Sequence, residues 1–164
     1  MINNKISYEK IYPVDYEILT RIMTSAFNED TSMHTDLKED GPTGYSDGSL
    51  IKKLNEHKDF SSYKILFQNT IVGAYTIGIK ENNEYTLELL FIDPTYRKDH
   101  LGTIVWKDIE QKYKDAKKWT VGTPDYSKRN HHFYTKKCGF TFCRENICDN
   151  GSKSFIFEKE IYHG

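Results

Sequence analysis

The segment from Leu87 to Thr103 combines residue types that can bind an anion, because a strand-like apolar run leads through a basic turn into a helix. Arg97 and Lys98 add positive charge, and Gly102 lets the backbone approach a ligand because it has no Cβ. The first N–H groups of a helix have no acceptor within it, and the helix dipole favours negative charge there. A pyrophosphate group fits such a site. The same residues equally describe a plain strand-to-helix turn with a solvated basic loop.

Length and composition favour a folded domain and argue against several other classes of protein. The chain has 164 residues, of which 37% are hydrophobic and 14% aromatic, and we expect one domain over residues 1–164. The formal net charge of −1 argues against a nucleic-acid partner. No apolar stretch approaches the ~20 residues that span a bilayer, and the first residues lack the apolar block of a signal peptide. We therefore expect a cytoplasmic protein with no membrane partner.

The cysteines and histidines give little support to a disulfide framework or a metal site. Cys138, Cys143 and Cys148 are odd in number and evenly spaced, unlike disulfide frameworks or the close cysteine pairs of zinc sites. The histidines show no His-Glu-x-x-His spacing. We expect reduced structural thiols and no metal.

The spacing of apolar residues predicts an α+β fold built on one mixed sheet. Apolar residues recur at every fourth position from Val14 to Ala26 and predict an apolar stripe on an early helix. Two runs rich in β-branched and aromatic residues flank Gln68-Asn69, which predicts an antiparallel hairpin. The predicted order is a strand, two helices, a three-stranded meander, a helix, a strand parallel to the last one of the meander, a helix and two strands. These elements are expected at 3–12, 14–26, 50–54, 62–67, 70–80, 85–92, 105–116, 119–123, 130–138, 140–145 and 154–160.

Two motifs make the chain resemble the GNAT N-acetyltransferase superfamily. The family's acetyl-coenzyme A loop reads Arg/Gln-x-x-Gly-x-Gly/Ala after a strand ending in a Val-x-Pro-like phrase, and this chain has Ile92-Asp93-Pro94 and then Arg97-x-x-His100-x-Gly102. Downstream, Asn130–Phe140 is similar to the family's Asn-x-x-x-x-Phe-Tyr-x-x-x-Gly-Phe element, compressed by two positions. His100 departs from the pattern, because it stands where the family usually has its first glycine. Its Cβ narrows the room for a pyrophosphate, although its ring could equally touch a phosphate, and His tolerates unusual φ better than β-branched residues do.

The resemblance implies a GNAT-like acyl-coenzyme A N-acyltransferase fold with acetyl-coenzyme A as co-substrate. It implies that the strand 85–92 parts from the strand 119–123 and that pantetheine lies between them, bonded to the backbone of 90–92. Asn130 matches a family position that contacts the cofactor, and an N-cap role is its alternative. The residues assigned to the cofactor are Leu90, Phe91, Ile92, Arg97, Lys98, Asp99, His100, Leu101, Gly102, Thr103 and Asn130.

A locally basic region, residues 117–137, is a candidate for the 3′-phosphate end of coenzyme A. A solvated helix face is the alternative for these charges. The basic residues of this region are Lys117, Lys118, Lys128, Arg129, Lys136 and Lys137, against Asp125 alone.

The implied reaction is direct attack of an amine on the thioester, which needs a base, an oxyanion site and an acid. Tyr134 matches the family's Phe-Tyr position and is the candidate acid for the departing thiolate, because a phenol has a pKa of ~10; packing against the sheet is the alternative. Glu88 is the candidate base through a water, and exposure or a pairing with a neighbouring strand is its alternative. The two-residue period of a strand predicts one face for Thr86, Glu88, Leu90 and Ile92. A backbone N–H near Ile92, where the strand is distorted, is expected to hold the oxyanion.

The acceptor is expected to be a primary amine of a small molecule or a peptide. The turn 41–45, with Gly44 and Tyr45, is the predicted acceptor site because the family varies this region to change substrates, and the same residues also make a good turn without a ligand. Nearby acidic residues suit a cationic amine such as a polyamine, an aminoglycoside or a lysine side chain, and equally suit a solvated loop. These residues are Glu29, Asp30, Asp36, Glu39 and Asp40. The sequence leaves open whether the chain forms a homodimer.

Two other functions compete with the enzyme. A non-catalytic coenzyme A-binding regulator would keep the loop and perform no chemistry. An RNA-binding module would stack bases on aromatic side chains among basic ones, and the overall charge argues against it. The residues available for that stacking are Tyr126, Arg129, His131, Phe133 and Tyr134.

Overall fold

One mixed sheet with helices on both faces makes up the described part of the chain. The computed structural model describes residues 5–162, with the side chains of Arg97 and Lys98 outside the description. The strands are β1 (Ile6–Lys10), β2 (Phe60–Phe67), β3 (Thr70–Ile79), β4 (Glu84–Ile92), β5 (Lys118–Pro124), β6 (Thr141–Ile147) and β7 (Lys153–Glu160). The helices are α1 (Tyr16–His34), α2 (Ser49–Glu56), α3 (Leu101–Lys112) and α4 (Lys128–His132).

The strands follow the order β1-β2-β3-β4-β5-β7-β6 across the sheet. Neighbouring strands are antiparallel except β4 and β5, which are parallel and connected through α3. The predicted fold class and element order are confirmed, including the hairpin at Gln68-Asn69, where both residues have a positive φ of 52° and 66°. Such a pair suits a two-residue hairpin turn. The first strand was expected to begin at 3, and Asn3 and Asn4 lie outside the described residues.

The first helix differs from the prediction in its length and in its buried face. Val14 is 85% exposed, because it lies in a short 3₁₀ turn, Pro13–Asp15, that precedes α1. Leu19, Ile22 and Met23 are the apolar side chains that α1 buries. The helix also continues to His34, beyond its predicted end at Ala26.

The fourth helix begins earlier than predicted and changes its winding. Expected over 130–138, it begins at Lys128 and continues after His132 as a π-helical turn, Phe133–Lys137. Gly139 follows with φ +84°, a left-handed conformation that ends the helix as its position predicted. Ser127 holds the N-cap position, so the N-cap alternative for Asn130 is wrong.

Two apolar clusters hold the helices on opposite faces of the sheet. On one face, Val105 and Trp106 of α3 pack with Trp119 of β5, and both Trp residues are only 1% exposed. On the other face, α1 and α2 pack on Leu89 and Phe91 of β4. Because both faces are covered, a ligand reaches the middle of the sheet only where neighbouring strands separate. No helix within residues 5–162 is long and apolar enough to cross a membrane.

Candidate active site

The central feature of the site is a separation between β4 and β5. Their parallel pairing runs from Glu84 with Lys118 to Leu87 with Val121 and then stops, although β4 continues to Ile92 and β5 to Pro124. The two strands therefore part toward their C-terminal ends, as the resemblance implied. We call the resulting gap the split.

The open side of β4 presents backbone groups to the split. Bonded and non-bonded pairs alternate along an antiparallel ladder. The Asp93 N–H donates to the Val72 carbonyl oxygen over 2.7 Å, so Ile92 belongs to a non-bonded pair with β3. The peptide groups of Leu90 and Ile92 consequently point away from β3 and into the split, whereas those of Phe91 belong to the β3 ladder. Two of the three residues predicted to meet pantetheine thus have backbone groups facing the gap.

A β-bulge in β4 lies at Glu88. Leu87 pairs with Ile77 and Leu89 pairs with Thr76, so Glu88 has no opposite residue in β3. A bulge shifts the alternation of side chains by one residue. The distortion of β4 is therefore at Glu88, four residues before the position near Ile92 where it was predicted.

Because of the bulge, the prediction that Thr86, Glu88, Leu90 and Ile92 share one face of the sheet is wrong. Leu90 and Ile92 pack against the cluster on the α3 face. Glu88 instead lies beside Thr86, whose Oγ1 donates to Glu88 Oε1 over 2.7 Å, and both lie near Gly78 of β3. The Glu88 carboxylate is exposed. It therefore lies on the α1 and α2 face, opposite to the side chains of Leu90 and Ile92.

The turn that enters α3 has a left-handed residue directly before the helix. His100 has φ 55° and ψ 32°, in the left-handed region, and occupies the N-cap position without any side-chain capping bond. The carbonyl oxygen of His100 accepts from the Ile104 N–H at 3.5 Å. The preceding amides, those of Leu101, Gly102 and Thr103, are the first of the helix and have no acceptor in it.

Gly102 has a packing role that the sequence did not indicate. A Cβ at this residue would lie 3.3 Å from both Cε1 and Cζ of Phe133. The missing side chain therefore lets the aromatic ring of the π-helical turn approach the first turn of α3. This contact closes one wall of the split.

These elements enclose a cleft of about 290 Å³ between the C-terminal half of β4, the start of α3 and α4. The predicted residues that it brings together are Leu90, Phe91, Ile92, His100, Leu101, Gly102, Thr103, Asn130 and Tyr134. Asp99, Glu88, Gly44 and Tyr45 are not among its lining residues, and the side chains of Arg97 and Lys98 lie outside the described part.

Several lining residues were not in the predicted cofactor site, although Arg129 and Lys137 were candidates for the 3′-phosphate end of coenzyme A. Phe133 and Lys137 share a helical face with Asn130 and Tyr134, since these positions are three, four and seven residues apart. That periodicity could have identified both. The other additions are Asp93, Pro94, Tyr96, Arg129 and His132.

Tyr134 is a buried phenol at the inner wall of the cleft. It is 7% exposed and packs edge-on against Phe133 and Phe140. Within residues 5–162, no protein group hydrogen-bonds its hydroxyl. Burial raises the pKa of Tyr134 above the ordinary phenol value, so the hydroxyl stays protonated through the neutral range.

The basic region predicted over 117–137 is not one surface. Lys118 lies at the start of β5, ~20 Å along the strand from its C-terminal end. There its ammonium group contacts Glu158 at 3.1 Å and Glu84 at 3.7 Å. Arg129 is paired with Glu29 at 3.1 Å. The prediction of a single phosphate-binding patch is therefore wrong, because the strand carries its first lysines to the opposite end of the sheet.

Among the described residues, no group of three or more His, Cys, Asp or Glu side chains is placed to hold a metal ion.

The predicted acceptor turn packs against α1 outside the cleft. The Tyr45 hydroxyl donates to Asn28 Oδ1 over 2.6 Å, and Gly44 has φ +85°. Burial and the nearby carboxylates of Glu39 and Asp40 raise the pKa of Tyr45. The turn therefore lies in a region of negative potential on the α1 face.

Polar contacts connect the end of α1 to the segment that leads into α4. Ser127 Oγ donates to Asp30 Oδ2 over 2.8 Å, with both residues buried. The hydroxyls of Thr31 and Tyr126 lie 3.1 Å apart, and the Arg129 ion pair lies alongside. We call these contacts the α1 bridge. They link the two sides of the split beyond the point where the strands stop pairing.

Substitution Ser127→Ala is expected to destabilise the fold by about 2 kcal/mol, because it removes a hydrogen bond to a buried carboxylate. Chemical denaturation measures the change in the free energy of unfolding. Ser32→Ala is the matched control, since the exposed Ser32 hydroxyl donates only to a backbone carbonyl oxygen. Equal effects of the two substitutions would contradict a structural role for the α1 bridge.

Comparisons with known proteins agree with this geometry. The acetyltransferase (GNAT) family profile matches residues 23–140. The uncharacterized protein YrkN of Bacillus subtilis (strain 168) is 36% identical over 103 residues, which are 62% of this chain and 55% of YrkN, so the match spans about half of that relative. The crystal structure of an acetyltransferase from Thermus thermophilus superposes with a TM-score of 0.74 at 14% identity, covering 98% of this chain and 100% of that one.

A second crystal structure shares the fold and contains a cofactor. It is the PaiA N-acetyltransferase of Thermoplasma acidophilum in complex with coenzyme A, with a TM-score of 0.69 at 16% identity, covering 95% of this chain and 99% of that one. The family match extends over most of the chain and includes β4, the α3 turn and α4. With its split sheet and its anion-binding turn, the chain belongs to the acetyltransferase (GNAT) family.

Proposed function

We propose that this protein transfers an acetyl group from acetyl-coenzyme A to a primary amine of a small molecule or a peptide, by direct attack. The observation that carries the proposal is the split, in which the peptide groups of Leu90 and Ile92 have no strand partner. Pantetheine has amide groups that can complete this interrupted ladder. The coenzyme A held by the structurally similar PaiA enzyme supports the choice of cofactor.

The diphosphate of the cofactor binds at the start of α3 in this proposal. The amides of Leu101, Gly102 and Thr103 supply donors, and the dipole of the 12-residue helix favours the negative charge. The pantetheine arm then runs along the open side of β4, past Asn130 on the opposite wall. This path places the thioester in the split, beside the unpaired peptide groups of Leu90 and Ile92.

The proposed base and the proposed acid lie on opposite faces of the sheet. Glu88, on the α1 and α2 face, accepts the proton of the attacking ammonium through water. Tyr134, on the α3 face, gives its proton to the departing thiolate, and burial, which raises its pKa, keeps the phenol protonated before the transfer. The Ile92 N–H, directed into the split, stabilises the oxyanion. Attack and departure thus occur on opposite sides of the thioester carbon.

The acceptor approaches from the α1 and α2 face. The exposed carboxylate of Glu88 lies on this face. Glu39 and Asp40 make the potential around Tyr45 negative on the same face. A cationic amine is attracted to such a field. The turn 41–45 is therefore our proposed acceptor site, and its residues also pack against α1.

Calorimetric titration with acetyl-coenzyme A, followed by an amine panel monitored for thiol release, tests the proposed function. We expect saturable binding and release of one thiol for each acetylated amine. Binding without release for any polyamine, aminoglycoside or lysine peptide would favour the coenzyme A-binding regulator. Salt-sensitive RNA binding without cofactor binding would favour the RNA-binding module.

The variant Tyr134→Phe is expected to lower kcat by about 100-fold, within the usual contribution of a general acid. The affinity for coenzyme A, measured by calorimetry, is expected to change by less than about twofold because the ring still fills its site. Phe133→Leu is the control for packing, and we expect it to weaken cofactor binding instead. A Tyr134→Phe enzyme with unchanged kcat would remove the phenol from the mechanism.

Substitution Glu88→Gln is expected to lower kcat at neutral pH by about 10- to 100-fold, since the amide cannot accept the ammonium proton. Steady-state rates with a saturating amine measure the effect. Glu84→Gln is the matched control on the same strand, where the carboxylate contacts Lys118 at the far end of the β4–β5 pairing. If both variants keep the wild-type rate, Glu88 is not the base.

A further inference from the structure

His100 has an unusual combination of backbone conformation and position. Its φ of 55° lies in the left-handed region, which favours glycine and which side chains adopt rarely, with His among the more tolerant. It is the N-cap of α3 and lines the cleft. Glycine would give the loop the same backbone path without a side chain.

The His100 side chain makes no contribution to the fold that offsets this conformation. It is exposed, and it makes no capping hydrogen bond to the first turn of α3. Among the described residues, no hydrogen bond or ion pair involves its imidazole ring. The ring is therefore available to a ligand in the cleft.

The chemistry around His100 favours an anionic ligand. His100 directly precedes Leu101, Gly102 and Thr103, and all four residues line the cleft, so a donor side chain and backbone donors occur at the same helix end. Arg129, on the opposite wall, is already paired with Glu29. An imidazole N–H directed at a phosphate oxygen forms a charge-assisted hydrogen bond, which is stronger than a neutral one.

We propose that the His100 imidazole is a direct ligand of the coenzyme A diphosphate, adding to the loop a donor that a glycine lacks. This inference rests on the proposed cofactor site and extends it, since it assigns a binding role to the side chain rather than to the backbone alone. His100 is then a binding residue for the diphosphate and takes no part in proton transfer to the acceptor.

Two variants separate the side chain from the backbone. His100→Gly removes the ring and fits the left-handed conformation, so its unliganded melting temperature is expected to rise. His100→Asn also tolerates that conformation but has a shorter side chain without an imidazole ring. Calorimetry then measures the Kd of each variant for coenzyme A and for dephospho-coenzyme A, which keeps the diphosphate and lacks the 3′-phosphate.

We expect both variants to bind coenzyme A about tenfold more weakly than the wild type, because each loses one hydrogen bond to a charged group. The same factor is expected with dephospho-coenzyme A. A higher melting temperature together with weaker binding in His100→Gly would exclude unfolding as the cause.

Several results would overturn the proposal. Binding by His100→Gly that equals or exceeds that of the wild type would mean that the ring is only tolerated, and normal binding by His100→Asn would mean that the imidazole is not needed. A loss seen with coenzyme A but not with dephospho-coenzyme A would assign the ring to the 3′-phosphate. If the wild type binds neither cofactor, the proposed function fails together with this inference, whereas the other three results leave it intact.

Discussion

The interrupted hydrogen-bond ladder between β4 and β5 is the constraint on which the site depends. Backbone N–H and C=O groups in a protein interior need partners, and β4 loses its β5 partners after Leu87 and Val121. A ligand with its own amide groups can complete the pairing that β5 leaves open. In the proposed function, this unfinished part of the sheet is what the cofactor completes. The same separation gives the cleft its length and direction.

In the proposed function, the bulge at Glu88 places the base and the acid on different faces of the sheet. Without it, Glu88 would lie on the same face as Leu90 and Ile92, beneath α3 and on the side of Tyr134. With it, the carboxylate lies on the α1 face while the phenol stays on the other. An acid and a base near one reacting carbon interfere least when they approach from different sides. One inserted residue thus sets the spatial relation of the two groups.

Much of the fold could be predicted from the sequence, because periodicity and turn residues act locally. The order of the elements, the hairpin at Gln68-Asn69 and the end of the fourth helix at Gly139 all follow from such signals. The position of the bulge could not, since Glu88 is the extra residue only relative to β3. Nor could the separation of Lys118 from α4, which depends on where the strand runs. The packing of Phe133 on Gly102 joins residues about thirty positions apart, and no local pattern reports that contact.

The α1 bridge has a consequence for how this protein responds to its two substrates. It joins the helix on the acceptor side to the segment that carries the inner wall of the cofactor cleft. In the proposed function, an amine that displaced α1 would also change the alignment of α4, and a cofactor that fixed α4 would restrain α1 in return. Linkage requires these two influences to be equal in free energy. Substitutions on α1 that change the preferred amine would consequently change the affinity for the thioester as well. The specificity for the amine and the affinity for the cofactor would then change together.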